Sequence, residues 1–266
     1  MSGFDSNTTP DSWAPGTTAH GCQDEDRDRT FRWRRAPERP TASPDHVHVW
    51  RIDLDSNAQP TNVLEALLCG EERARAARFV HAPHRRRFAV RRAALRTILG
   101  RYLNTQPANL CFVAGAHGKP ALAGAAASSG IRFSVSHSDR LALIAVAHSR
   151  EVGVDIERMR SAIPLHDIAR RFFSPAEAQA LLSLPAEDQP PAFFRCWCSK
   201  EACVKALGVG LAAGEDVLKD WTGGFGRWSM SALDIDVGFV AMLAVEGRDC
   251  RLAVFRYQPT GMPEVD

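Results

Sequence analysis

Asp155 and Glu157 stand two apart in Gly153-Val154-Asp155-Ile156-Glu157, inside a run whose alternation predicts a β-strand. Strand geometry sends residues i and i+2 to one face, so both carboxylates point the same way while Val152, Val154 and Ile156 fill the other. Two like charges beside a core are costly unless something positive joins them. A hard divalent cation such as Mg²⁺ takes oxygen ligands and keeps waters that a phosphate can replace. A strand end with two solvated acids is the plainer alternative. Farther on, Trp197, Glu201 and Lys205 recur at helical spacing, with Lys200 beside them. Glu201 completes a cation site, and Lys200 and Lys205 meet phosphate oxygens, only if this helix and that strand meet in the fold. Otherwise Glu201 and Lys205 form an ordinary surface ion pair.

Ser134, Ser136, His137 and Ser138 end a predicted strand at a turn, where hydroxyls and an imidazole could donate to a phosphate. Nothing around Ser136 matches the GxSxG elbow of a serine hydrolase. His117-Gly118-Lys119-Pro120, just after Gly115, gives backbone freedom beside a lysine, as a phosphate-adjacent loop needs. It lacks the GxxxxGK[ST] of a Walker A loop, and a plain turn is the alternative. Arg85, Arg86, Arg87, Arg91 and Arg92 crowd one helix where acids are sparse, so part of that charge calls for an external anion; a solvated, self-repelling face is the other reading.

The elements that must position these groups follow from pattern. Residues 1–44 show no periodicity and are expected to be a flexible tail; folded structure starts at Asp45 with the alternating VHVWRIDL. A helix is expected from Glu71 to Leu103, interrupted near Pro83, with Phe88, Leu95, Ile98, Leu99 and Tyr102 on its core side. IRFSVSHS and LALIAVA read as two strands joined by a Ser/Asp turn, and EVGVDIE as a third. Ser174-Pro175-Ala176-Glu177 is a capping box that opens a short helix through Leu182. A second helix is expected from about Pro191 to Leu207, stopped by Gly208. RWSMSALDIDV, FVAMLAVEG and CRLAVFRY predict antiparallel strands closing a second sheet. Strand and helix material thus occurs twice, in two loosely similar halves, 45–150 and 151–258, before a tail at 259–266.

The chain has 266 residues, 45% hydrophobic, and a net charge of +2, which excludes disorder throughout and makes no demand for nucleic acid. No apolar run reaches the roughly 18 residues of a membrane span, and the polar N-terminus argues against a leader peptide. Seven scattered cysteines without a CxxC pair fit reduced thiols in a cytoplasm. Cys196 and Cys198 point about 200° apart on a helix, which disfavours a metal site with Cys203.

Taken in order, RFVHAPHRRRFAVRRAALRTIL, HGKP, FSVSHS, GVDIE, RRFFSPAE and WCSKEACVKALGVGL resemble the 4'-phosphopantetheinyl transferases of the surfactin-synthetase-activating (Sfp-like) type, over about residues 46–255. The resemblance implies an α/β (α+β) pseudo-twofold fold of two similar halves, each a small sheet with a long helix, and coenzyme A in the cleft between them. It implies transfer of 4'-phosphopantetheine from coenzyme A to a serine of an apo acyl or peptidyl carrier protein, releasing adenosine 3',5'-bisphosphate. By the same resemblance Asp155, Glu157 and Glu201 are the Mg²⁺ ligands, and Glu201 and Lys205 the catalytic pair. Gly118 and Lys119 border the nucleotide. Ser134, Ser136 and His137 attend the phosphates, Lys200 and Lys205 the pyrophosphate, and Arg75 the 3'-phosphate. At Glu72, where some relatives carry a lysine, this chain has an acid. A cytoplasmic monomer without membrane or nucleic-acid partners is expected. The rivals are a coenzyme A- or carrier-binding module without turnover, and a magnesium-dependent pyrophosphate hydrolase.

Overall fold

The computed structural model describes residues 32–115, 117–160, 163–209 and 227–259. Alternating apolar residues build two sheets. The first has the order β1-β10-β2-β6-β5, from β1 (Arg34–Arg35), β2 (His46–Asp53), β5 (Ile131–Ser138), β6 (Leu141–His148) and β10 (Arg251–Arg256). The second has the order β7-β9-β8, from β7 (Val152–Arg158), β8 (Trp228–Ala232) and β9 (Phe239–Glu246), all antiparallel. β3 (Phe112–Ala114) and β4 (Pro120–Leu122) form a separate hairpin.

Two long helices cover the outer faces. On β2 and β6, Trp50, Ile52, Ala142, Ile144 and Val146 face α3 (Ala82–Leu103) in one core. Their alternate neighbours Val47, Val49, Leu141, Leu143 and Ala145 face Val152, Val154, Ile156, Leu243 and Val245 of the second sheet in another. The far side of that sheet meets α6 (Gln189–Leu207) through Cys198, Ala202, Cys203, Ala206, Met242 and Ala244. The result is helix, sheet, sheet, helix, with β2 and β6 apolar on both faces because both are covered. The α/β class and the pairing of each sheet with a long helix agree with the sequence reading.

Local chemistry sets the helix ends. The expected break near Pro83 separates α2 (Gly70–Ala77) from α3, with Pro83 in the first turn of α3, where a missing N–H costs nothing. The capping box is present in α5 (Pro175–Leu182): Ser174 Oγ accepts from Glu177 N at 3.3 Å and Ser174 N donates to Glu177 at 2.8 Å. Gly208 stops α6 in the left-handed region at φ 71°. α1 (Thr61–Ala66) and α4 (Leu165–Phe172) were not anticipated from pattern.

Three expectations are corrected. CRLAVFRY does not close the second sheet: as β10 it enters the first, parallel to β2, with Val254 beside Val49. An apolar strand carries no mark of which sheet will take it. Ordered structure begins before Asp45, because β1 pairs with β10 and Trp33 Nε1 donates to Asp234 O at 2.7 Å, while the rest of the expected tail, residues 1–31, lies outside the described residues; a two-residue strand is too short to leave a periodicity. Nor are all seven cysteines reduced, since Cys250, fully buried, is disulfide-bonded. Cys69, Cys111, Cys196, Cys198 and Cys203 are free thiols, and burial pushes Cys203 up to about 12, an inert structural role. No helix among the described residues is long and apolar enough to cross a membrane.

Candidate active site

Strand β7 and helix α6 do meet, and Gly153 is the reason they meet so closely. A Cβ at that position would lie 1.8 Å from Ala202 O and 2.5 Å from Ala206 N, so the helix backbone passes where no side chain fits. This approach carries Glu201 and Lys205 onto the polar face of β7. Lys205 Nζ lies 2.6 Å from Asp155 Oδ1 and 2.9 Å from Ser136 Oγ. Asp155 is 3% exposed, and its second oxygen, Oδ2, is buried without a hydrogen-bond partner. Burial, then the Asp155 charge, raises the Glu201 pKa to about 7. Burial also raises Glu157, opposed by a bond from Ser138 and reinforced by Asp155.

Three carboxylates from two elements thus feel one another, with one ammonium among them. Among the described residues, no group of three His, Cys, Asp or Glu side chains is arranged to hold a metal ion as it stands. The donor set still has the chemistry that a hard cation requires: buried, mutually repelling oxygens, one of them wholly unpartnered. Two cavities flank the cluster. One, of about 470 Å³, is lined by Phe88, Arg91, His137, Ser138 and Glu157 among others. The other, of about 270 Å³, is lined by Gly118, Lys119, Ser134, Glu201 and Lys205 among others. Ser134, Ser136, His137, Gly118, Lys119, Lys205 and the three acids therefore lie around these two cavities and the carboxylate cluster between them.

Two family profiles match the chain. Residues 56–149 match "4'-phosphopantetheinyl transferase, N-terminal" and residues 151–232 match the "4'-phosphopantetheinyl transferase superfamily". The 4'-phosphopantetheinyl transferase HetI of Nostoc sp. is 44% identical over 185 residues, which cover 70% of this chain and 78% of that protein. The chain belongs to the 4'-phosphopantetheinyl transferase family. More distant relatives include the 4'-phosphopantetheinyl transferase Sfp of Bacillus subtilis, 30% identical over 53% of this chain and 61% of that one. The human L-aminoadipate-semialdehyde dehydrogenase-phosphopantetheinyl transferase is 29% identical over 64% of this chain and 55% of its own length.

Within this transferase, several side chains sit differently from expectation. Lys200 is not at the carboxylates: it is 4% exposed, 3.0 Å from Glu177 Oε2 and over the Phe173 ring. It lies five positions before Lys205, about 140° around a helix, so both cannot face β7. Trp197 likewise belongs to an aromatic core with Phe172 and Phe193. Lys119 lines the smaller cavity, yet its ammonium donates to Glu151 Oε2 at 2.9 Å and to Ala206 O at 3.0 Å, capping the end of α6.

The arginine-rich helix of the transferase is mostly neutralised from within. Arg85 pairs with Glu65, Arg87 with Asp55 and Asp139, and Arg86 donates to Ser56 O, Gln59 O and Thr61. Glu72 is the buried acid of this region. It accepts from Arg92, from Arg96 Nε at 2.6 Å and from Cys69 N at 3.0 Å, which accounts for an acid at this position. Arg91 is what remains: no acid among the described residues pairs with it, and its partner is the His137 ring at 2.8 Å. Burial, with Arg92 and Arg75 nearby, lowers its pKa to about 10. Burial and then Arg91 hold His137 neutral, with its pKa lowered to about 4. Arg75 is exposed, over the same Phe88 ring that Arg91 covers. Sequence reasoning named Arg91 only as one of five crowded arginines and did not separate it from the other four. Its signal, an arginine left over after its neighbours pair, exists only in three dimensions.

Proposed function

We propose that the reaction runs at this cluster, with Mg²⁺ on Asp155, Glu157 and Glu201 and coenzyme A across the two cavities. The serine of an apo carrier protein attacks the β-phosphorus of the pyrophosphate. The observation that carries this reading is that the Asp155 charge reaches both Glu157 and Glu201 while Asp155 Oδ2 is buried without a hydrogen-bond partner. When bound, the cation supplies positive charge for the pyrophosphate oxygens and for the leaving adenosine 3',5'-bisphosphate. Lys205 adds a second positive charge beside the same oxygens, and positioning with charge neutralisation provides most of the rate in such transfers. Glu201, or a water that it orients, accepts the serine proton. Ser134, Ser136, Gly118 and Lys119 line the phosphate and nucleotide path, while Arg75, Arg91 and His137 receive the 3'-phosphate. Lys200 supports the site from behind, through α5.

Two halves meeting near residue 150 are supported by the family profiles, which abut at 149 and 151. Since one chain supplies every proposed ligand, a monomer suffices. A cytoplasmic setting is favoured by the five free thiols and opposed by the disulfide at Cys250. The test is the intact mass of apo acyl and peptidyl carrier proteins incubated with coenzyme A and Mg²⁺. A gain of one phosphopantetheine arm that EDTA abolishes, and that Asp155→Ala loses, supports the assignment; transfer by Asp155→Ala at the wild-type rate refutes it.

A further inference from the structure

β5 is the edge of the first sheet and β7 the edge of the second, and no backbone ladder joins them among the described residues. Three alternate serines close the seam instead. Ser134 Oγ accepts from Val154 N at 3.1 Å, Ser136 Oγ from Ile156 N at 3.3 Å and Ser138 Oγ from Arg158 N at 3.0 Å. All three serines are buried. A hydroxyl has two lone pairs and one proton, so with a lone pair given to the amide its proton still needs an acceptor. For Ser136 that acceptor is Asp155 Oδ1 at 2.8 Å, and for Ser138 it is Glu157 Oε2 at 2.8 Å. Each hydroxyl therefore grips one residue pair of β7 twice, by the amide of one residue and the carboxylate of the residue before it. Ser134 grips only an amide.

We propose that Ser138 is a positioning residue for cation binding: it fixes the Glu157 carboxylate against β5, so that the ligand is oriented before the ion arrives. This rests on the assignment of Glu157 as a ligand. Ser136 has the same geometry toward Asp155 but also touches Lys205 and lines the proposed phosphate path, so Ser138 is the cleaner site to test. Groups that orient a ligand in this way typically change metal affinity about 10–100-fold when removed. The seam also explains why the serines alternate: only every second β5 residue faces β7.

The experiment measures Mn²⁺ binding, as a paramagnetic stand-in for Mg²⁺, from the free-ion resonance signal of the full chain with coenzyme A and without carrier. Ser138→Ala should weaken the Mn²⁺ dissociation constant about 10–100-fold, Ser138→Thr should restore it, and Ser138→Cys, similar in size but a poor donor, should resemble alanine. Ser229→Ala removes another buried hydroxyl bond, the one to Gly247 O at 2.6 Å on the far strand of the second sheet, and should lower the melting temperature with Mn²⁺ affinity kept within about threefold. Equal Mn²⁺ affinity in Ser138→Ala and wild type, whatever the loss in melting temperature, would make Ser138 a purely structural stitch and overturn the proposal. So would an equal loss in Ser229→Ala, since general destabilisation rather than the Glu157 bond would then govern affinity. A wild-type protein that binds no Mn²⁺ would instead refute the cation site itself, and the positioning role with it.

Discussion

Replacing Gly153 by alanine asks whether the close seating of α6 on β7 builds the site. The added Cβ would stand 1.8 Å from Ala202 O, whereas ordinary contact begins at 3.4 Å, so the helix must retreat by roughly 1.6 Å or the strand must bend. Neither partner is a flexible side-chain tip; both are backbone. Overpacking of cores costs about 1–3 kcal/mol, and a rigid backbone collision belongs at the top of that range, near 3 kcal/mol. Glycine in a strand is otherwise a liability of about 0.5–1 kcal/mol, so without the collision the substitution would stabilise. The sign of the effect therefore tests the geometry. A retreat of more than about 1 Å separates Glu201 and Lys205 from Asp155 and Glu157, and misplacement on that scale costs roughly 100-fold in rate. The assays are the urea midpoint at constant slope and the initial rate of carrier mass gain. Gly70→Ala is the control, because a Cβ there meets nothing within 4 Å; it should be neutral or gain up to about 1 kcal/mol. If Gly153→Ala were as stable as wild type within about 0.5 kcal/mol and its rate within about twofold, the claim that close approach assembles the site would fail.

Other perturbations read other parts of the molecule. Glu72→Gln removes the charge that neutralises Arg96, 1% exposed, and leaves it neutral acceptors alone, the carbonyls of Pro107 and Leu110 among them; it should cost about 3–5 kcal/mol in urea unfolding, and a loss under about 1 kcal/mol would show the charge pairing to be dispensable. Arg91→Ala should raise KM for coenzyme A by about 10-fold or more, from the loss of charge-assisted bonds, while leaving KM for 3'-dephospho-coenzyme A nearly unchanged. Equal losses on both substrates would remove Arg91 from the 3'-phosphate. His48, buried and bonded to Tyr102 at 2.6 Å, has a pKa lowered from 6.5 to about 4, by burial first and His46 second. Between those values the unfolded chain binds a proton that the folded chain does not. Stability is thus full above pH 6.5 and falls as the pH drops toward 4, by about 3 kcal/mol in all from this group. His48→Gln should flatten that slope, and an unchanged slope would contradict the burial argument.

What could be read from the residues alone was local and periodic. The alternation of GVDIE put two acids on one face, the capping box opened α5 at Ser174, and Gly208 ended α6 where expected. These succeed because strand and helix periods fix which side chains share a face, whatever packs against them. The ordered motifs also pointed to the family that the comparisons show. Placement between elements was a different matter. An apolar strand does not announce its neighbour, so β10 was assigned to the wrong sheet. A lysine on a helix does not announce its azimuth against the fold, so Lys200 was assigned to the phosphates although it is buried with Glu177. Whether an arginine is free depends on where every acid ends up, and only the folded chain spends Asp55, Glu65, Glu72 and Asp139 on the others and leaves Arg91 to His137. Chemistry was legible where the backbone repeat dictates it; the partners of each charge were decided by long-range packing, which the sequence encodes only through the sum of all its contacts.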